Sequence, residues 1–474
     1  MTAPRAAAGA EQRGALAIVL HTHMPYVEGY GTWPSGEEWL WEAMASCYLP
    51  LLELLDEGAP LTLSLTPVLC DQLEAPGVFE RFATFIEQVR RETHEEDAAG
   101  LRTGGYEALA CELERSLAEY LHALERLRER GGDLLRELAP HVQWTSSATH
   151  AVLPLLATDA CAHLQVASGV ASHRRRFGVS LLRDGWRGGF WLPECAYAPW
   201  LERALEDAGV AAVCVELTNR FGLGAAEHLR PIVTAAGIRL VPIDRQTMAL
   251  VWSEHGYPAS GVYRDYHHHT VHHHNPWNNA GEPYEYERAL ALAREHAADF
   301  VARTAERLRD GGLVVCALDT ELLGHWWYEG VHWLRAVVQE CSRQQVELLR
   351  LDDALARIEP ISGELSGVSS WGSGGDLSTW SGPAVAEMAF ATRAAELAVV
   401  AAGEHASSAA VRELLALQSS DWPFMVSRGL AGPYPRERFD AHRDALSRAL
   451  AGANGGAPGP RRLAVDADPR LLLA

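Results

Sequence analysis

Two carboxylates stand where apolar runs of the sequence end. Glu194 closes Gly189-Phe-Trp-Leu-Pro-Glu-Cys-Ala-Tyr197, and Asp319 closes Cys316-Ala-Leu-Asp, with Glu321 two residues beyond. A carboxylate in such surroundings is costly unless it is paired, hydrogen-bonded or protonated, so these positions suit chemistry better than stability. Histidines lie at comparable points. His21 and His23 follow Leu16-Ala-Ile-Val-Leu20 and, two apart on an extended strand, project to one side. His150 follows Val142–Thr145, and Glu216 and Asp244 close two further runs. Any one of these could be a satisfied cap, ion pair or core hydrogen bond. Together with 15 tryptophans, among them Trp191, Trp252, Trp277, Trp326, Trp327, Trp371 and Trp380, they suit a carbohydrate best. Indole faces stack on sugar rings, while carboxylates and imidazoles bind hydroxyls and move protons.

The elements that must position these groups follow from periodicity. Leu16–Leu20, Leu61–Leu65, Val142–Thr145, Gly189–Leu192, Ala212–Val215, Leu240–Ile243 and Leu313–Leu318 are short apolar runs separated by helical patterns, with Val346–Leu351 a further candidate. Strand and helix alternating seven or eight times predicts a parallel barrel, whose catalytic groups sit at the C-terminal strand ends. Residues from about 78 to 138 carry too much charged, Leu- and Ala-rich helical sequence for one crossover and read as a helical insertion. The expected division is a disordered N-terminus (1–14), a barrel domain (15–360), a C-terminal helical domain (361–455) that lends tryptophans to the cleft, and a frayed tail (456–474).

Composition excludes several classes. The charge is −21, and all 41 basic residues are arginine, so nucleic acid and anionic membranes are poor partners. Without lysine there is no Schiff-base chemistry and no P-loop. Eight scattered cysteines, no apolar leader and no run of about 18 apolar residues point to a cytoplasmic protein that does not span a membrane.

In order along the chain, His21-Thr-His-Met-Pro25, Ala148-Thr-His150, Trp191-Leu-Pro-Glu-Cys195, Leu318-Asp-Thr-Glu-Leu-Leu-Gly-His-Trp-Trp327 and Ser370-Trp-Gly-Ser-Gly-Gly375 resemble the five motif regions of glycoside hydrolase family 57. Gly256-Tyr-Pro258 and Leu417-Gln-Ser-Ser-Asp-Trp-Pro-Phe424 extend the likeness, which is strongest to the family's 1,4-α-glucan branching enzymes. The resemblance implies an α/β fold, an incomplete (β/α)7 TIM-like barrel, with a helical insertion and a C-terminal α-helical domain. It implies no metal or cofactor, an α-1,4-glucan such as amylose or a glycogen-like polysaccharide as substrate, and a retaining double displacement that forms α-1,6 branches in glycogen biosynthesis. Glu194 would be the nucleophile and Asp319 the general acid/base, with carboxyls about 5–5.5 Å apart. His21, His23, His150, Trp252, Trp371, Trp380 and Asp421 would bind substrate.

Two features depart from the family. Its branching enzymes carry a loop tyrosine, whereas Asn219-Arg-Phe-Gly-Leu-Gly-Ala-Ala-Glu-His-Leu-Arg-Pro231 has none. That leaves a hydrolytic α-glucanase with weak branching as the first alternative. His267-His-His-Thr-Val-His-His-His274 has no counterpart and reads as a solvated or adventitiously metal-binding loop, or as part of the cleft. A metal-dependent amidohydrolase or deacetylase would explain His21, His23, His150 and Asp319 but not Glu194 or the tryptophans. A non-enzymatic glucan-binding protein would explain the tryptophans but not the two carboxylates. Transfer ratio, chain length transferred, acceptor and oligomeric state are not encoded legibly.

Overall fold

A computed structural model describes residues 14–32, 34–178, 188–452 and 462–473. The expected disordered N-terminus lies outside these, apart from Gly14. Ten strands form in chain order: β1 (Ala15–Thr22), β2 (Thr62–Leu65), β3 (Val142–Ser146), β4 (Gly189–Trp191), β5 (Ala212–Val215), β6 (Ile232–Val233), β7 (Arg239–Pro242), β8 (Leu313–Asp319), β9 (Glu347–Leu348) and β10 (Ile361–Ser362). Seven form one continuous parallel run, in the order β7-β5-β4-β3-β2-β1-β8. Every residue of β1 is buried, as expected of a parallel strand covered on both faces. The short β6 pairs antiparallel with β7, β10 extends β6, and β9 adds to the start of β1. The Val346–Leu351 candidate is thus two residues of strand followed by a helix from Leu351.

The edges β7 and β8 share no ladder among the described residues. One hydrogen bond, from Asp244 N–H to the Val315 carbonyl at 2.9 Å, spans them where β7 ends, so the sheet curls into an incomplete (β/α)7 barrel. Helices fill the chain between β2 and β3, the longest being Glu107–Glu129. Its Leu109, Leu113, Ser116, Ala123 and Leu127 are buried, a helical stripe that seats it on its neighbours.

Beyond β10 the described chain is mainly helical from Ala386, with Ala386–Ala402, Ser408–Leu417, Asp421–Arg428 and Tyr434–Leu450 around their own apolar core. That core takes in Tyr26, Val68, Ala148, Cys161 and Leu164 from the barrel side. Buried Glu396 ties the two together, accepting hydrogen bonds from the Ala157 and Thr158 amides at 2.9 and 2.7 Å. The tail departs from expectation. Residues 462–473 are not frayed: Leu463 and Leu472 are buried, and Asp71 accepts from the Ala464 amide at 2.6 Å. Leucines spaced through a polar, Pro-rich stretch carry no local period, and a pre-existing apolar seat captures them. Among the described residues, no helix is long and apolar enough to cross a membrane.

Candidate active site

The C-terminal ends of β1, β3, β4 and β8 converge on one cluster. His21 of β1 stands in register with Asp319 of β8 and with Ser64 of β2. Its imidazole stacks on the buried Trp191 ring of β4, centroids 4.6 Å apart, and its Nε2 lies 2.8 Å from His150 Nε2. His150 is held at φ 60°, with Nδ1 hydrogen-bonded to Ser420 Oγ at 2.8 Å. His23 stacks on His150 at 3.9 Å and shares one hydrogen bond with Asp421 at 3.0 Å and another with Thr66 at 3.2 Å.

Glu194 follows β4 on a sharp turn. It and Cys195 adopt φ of 63° and 48°, so three of the seven non-glycine residues at positive φ among the described residues belong to this cluster. Left-handed backbone at such residues is held only where surroundings over-determine it, as they do here. The Trp371 indole N–H donates to Glu194 Oε2 at 2.9 Å, and its amide donates to the Glu194 carbonyl at 3.0 Å. The His150 ring lies 3.9 Å from Glu194 Oε1.

The two carboxyls meet unequal surroundings. Burial, and then the negative charges of Glu321 and Glu194, push Asp319 well above the usual carboxylate range, and no donor opposes them among the described residues. Burial raises Glu194 too, but hydrogen bonds from Trp371 and Ser420 and the positive potential of His23 restrain the rise. One acid is therefore held protonated more firmly than the other, the partition a double displacement requires. Glu321 is pushed up to about 7 by burial, with the Tyr48 hydroxyl donating to it at 2.6 Å. Burial depresses His21 and His150 far below the ordinary imidazole value, so both are neutral. For His23, burial works against the charge, yet Asp421, Glu321 and Glu194 outweigh it and the value rises.

Of the residues expected to bind substrate, His21, His23, His150, Trp371 and Asp421 are thus brought together around Glu194. Trp380 stands behind Trp371, buried in an apolar cluster with Val152 and Ala196, its indole nitrogen without a hydrogen-bond partner among the described residues. Trp252 is half-exposed beyond β7. Sequence reasoning missed Ser420, Thr66 and Tyr48 as positioning groups. Only the Ser419-Ser420-Asp421 triplet offered a signal, through its place in the C-terminal motif. Among the described residues, His23, His150 and Asp421 alone place ligand atoms close enough to share a cation, within 4.8 Å. Those atoms are already engaged with one another, His21 and Ser420.

The tyrosine-free stretch after β5 is fastened beside this cluster, Asn219 donating to the Gly374 carbonyl at 2.7 Å. The His-rich segment is not simply solvated. His274 is buried against His94, ring centroids 3.6 Å apart, and His272 pairs with Asp97 at 2.8 Å.

Comparison with known proteins is consistent with this geometry. The model of glycosyl hydrolase family 57 matches residues 17–362, and that of the 1,4-alpha-glucan branching enzyme C-terminal region matches 384–464. A 1,4-alpha-glucan branching enzyme of Thermococcus kodakarensis is 32% identical over 91% of this chain and 72% of its own length. Its crystal structure superposes with a TM-score of 0.84, covering 97% of this chain and 93% of that one at 29% identity. A family-57 branching enzyme from Pyrococcus horikoshii gives 0.83 at 31% identity, covering 94% and 92%.

Proposed function

Because this chain belongs to glycosyl hydrolase family 57, we propose that it is a 1,4-α-glucan branching enzyme, cutting an α-1,4-glucan and rejoining the cut chain to a glucan 6-hydroxyl. The observation that carries the reading is the contrast between the two strand-end carboxyls. Glu194, held by the Trp371 and Ser420 donors, attacks the anomeric carbon. Asp319, kept protonated, gives its proton to the departing O4. A glycosyl-enzyme ester on Glu194 results, with configuration inverted once. Asp319, now ionised, takes the proton of an incoming 6-hydroxyl, whose oxygen displaces Glu194 and inverts the carbon again. The product is an α-1,6 branch with net retention.

In this reading the barrel, 15–360, carries both carboxyls, and the helical part, 361–455, supplies Trp371, Ser420 and Asp421 to the same cleft. His21 and His150, both neutral, bind sugar hydroxyls, and His23 with Asp421 provides a fixed charged pair beneath them. Glycogen biosynthesis in the cytoplasm is the setting that fits such a product.

A second reading has support from one observation. With no tyrosine in Asn219–Pro231, water competes for the glycosyl-enzyme, and water near 55 M wins unless the acceptor is held. Slow branching with appreciable hydrolysis is then expected. Incubation with amylose, scoring new reducing ends and new α-1,6 linkages in one sample, tests both readings. Branch formation, with or without hydrolysis, upholds the proposal, and reducing ends alone would replace it with an amylase. Glu194→Gln and Asp319→Asn should each lose about 10²–10⁴-fold or more. With an activated glycosyl fluoride, which needs no acid to leave, the Asp319 variant should accumulate a glycosyl-enzyme detectable by mass spectrometry, and the Glu194 variant should not.

A further inference from the structure

A cavity of about 860 Å³ lies apart from the cleft of Glu194 and Asp319. It lies between the inserted helices, the His-rich segment and the chain just beyond Asp319, and it has the size of a ligand site. The partition between cavity and cleft is thin. Gly324, φ 106°, passes so close to the chain that an added Cβ would fall 2.0 Å from the Ser46 carbonyl, and Tyr48, from the same turn as Ser46, donates to Glu321. Trp326, seven residues past Asp319, is 44% exposed on the cavity wall, while its neighbour Trp327 is buried. Tyr266 braces the Trp326 indole, ring centroids 4.4 Å apart, and its hydroxyl is hydrogen-bonded to His325 at 3.3 Å. An exposed indole braced from one side by a second aromatic offers its free face to a flat, weakly polar partner.

The charges on the wall indicate the kind of partner. Arg90, Arg115, Arg126 and Arg264 are each ion-paired with glutamates, so among the described residues the cavity holds no free cation for a phosphate or carboxylate. Polar capacity remains. Glu38 on the cavity wall is buried and taken up by Arg90 at 2.9 Å, so the capacity lies with the histidines. His267 and His269 face solvent from the opposite segment. A neutral ligand with many hydroxyls and flat apolar faces satisfies all of these at once.

We infer that this cavity binds a second α-1,4-glucan chain, the acceptor, with Trp326 as its stacking platform and the His-rich segment as its outer wall. The inference rests on the transferase reading, because a transfer reaction must hold two chains whereas hydrolysis needs one.

The test uses the full chain in two formats. In a Glu194→Gln background, calorimetry with maltoheptaose should show two binding sites, and adding Trp326→Ala should weaken one of them about tenfold while Trp326→Phe restores most of it. In otherwise wild-type protein with α-maltosyl fluoride as donor, Trp326→Ala should leave hydrolysis of the fluoride unchanged and raise the KM for maltoheptaose as acceptor about tenfold. Tyr266→Phe, which keeps the brace and removes the hydroxyl, should move neither by more than about twofold. Two-site binding and acceptor KM both unaltered in Trp326→Ala would overturn the inference. A wild-type protein inert toward the fluoride would instead overturn the proposed function, and the calorimetry would still decide the cavity.

Discussion

Removing a single N–H from the cleft tests whether Glu194 is the nucleophile. In Trp371→Phe the ring remains to meet Trp191, its present centroid 5.2 Å away, and the backbone bond from residue 371 to the Glu194 carbonyl is untouched. Only the 2.9 Å donor to Glu194 Oε2 disappears. A hydrogen bond to a charged group is worth about 1.5–3 kcal/mol, and the lower figure applies because Ser420 still serves the carboxylate. At about 1.4 kcal/mol per pH unit, the acid limb of kcat/KM should move upward by about one unit, since Glu194 must be ionised to attack. Below that limb the variant should be about tenfold slower than wild type, and near the alkaline limb the two should converge. Initial rates with an activated glycosyl fluoride between pH 4 and 9 measure this without interference from acid assistance. An acid limb that stays in place, with a uniform rate loss at every pH, would mean that Trp371 positions sugar and does not hold the Glu194 charge.

Other consequences follow from the same geometry. Asp319 is held well above its unfolded value, so the stability its neutral form contributes is fully present below the ordinary carboxylate range and is lost as pH rises through the raised value. Asp319→Asn should therefore match wild type in thermal melts at pH 4 and melt progressively higher than wild type toward pH 8, despite being inactive. Asp421 shows the reverse sign: its carboxyl is depressed, because the charge and hydrogen bond of His23 overcome the cost of burial, and its stability is present above the ordinary range and lost as pH falls through the depressed value. Asp421→Asn should cost about 1.5–3 kcal/mol at neutral pH, the gap should close in acid, and the His23 resonance should titrate at lower pH by NMR. Deleting residues 453–474 uncovers the seats of Leu463 and Leu472 and removes a donor from Asp71, which should destabilise by about 3–6 kcal/mol in denaturant melts without altering the pH profile of activity.

The strand ends and their carboxyls were legible in the amino-acid sequence, because a parallel strand buried on both faces is a local apolar run and the polar residue that closes it is the one the barrel presents. Seven such runs, with Glu194 and Asp319 at the ends of two and the His-x-His pair at the end of the first, carried the fold and the groups proposed to react together. Local pattern stops at contacts between distant segments. The Trp371 donor to Glu194 spans 177 positions, His150 to Ser420 spans 270, and His23 to Asp421 spans 398. Each depends on how the C-terminal helices dock over the barrel mouth, and no residue spacing encodes that docking. For the same reason Trp252 and Trp380, alike in sequence as aromatics near motifs, part company in space, one half-exposed and one sealed behind Trp371. The raised acidity range of Asp319 is largely a tertiary property: Glu321 is a neighbour in sequence, but the burial and the Glu194 charge come only with the folded sheet and a turn at positive φ.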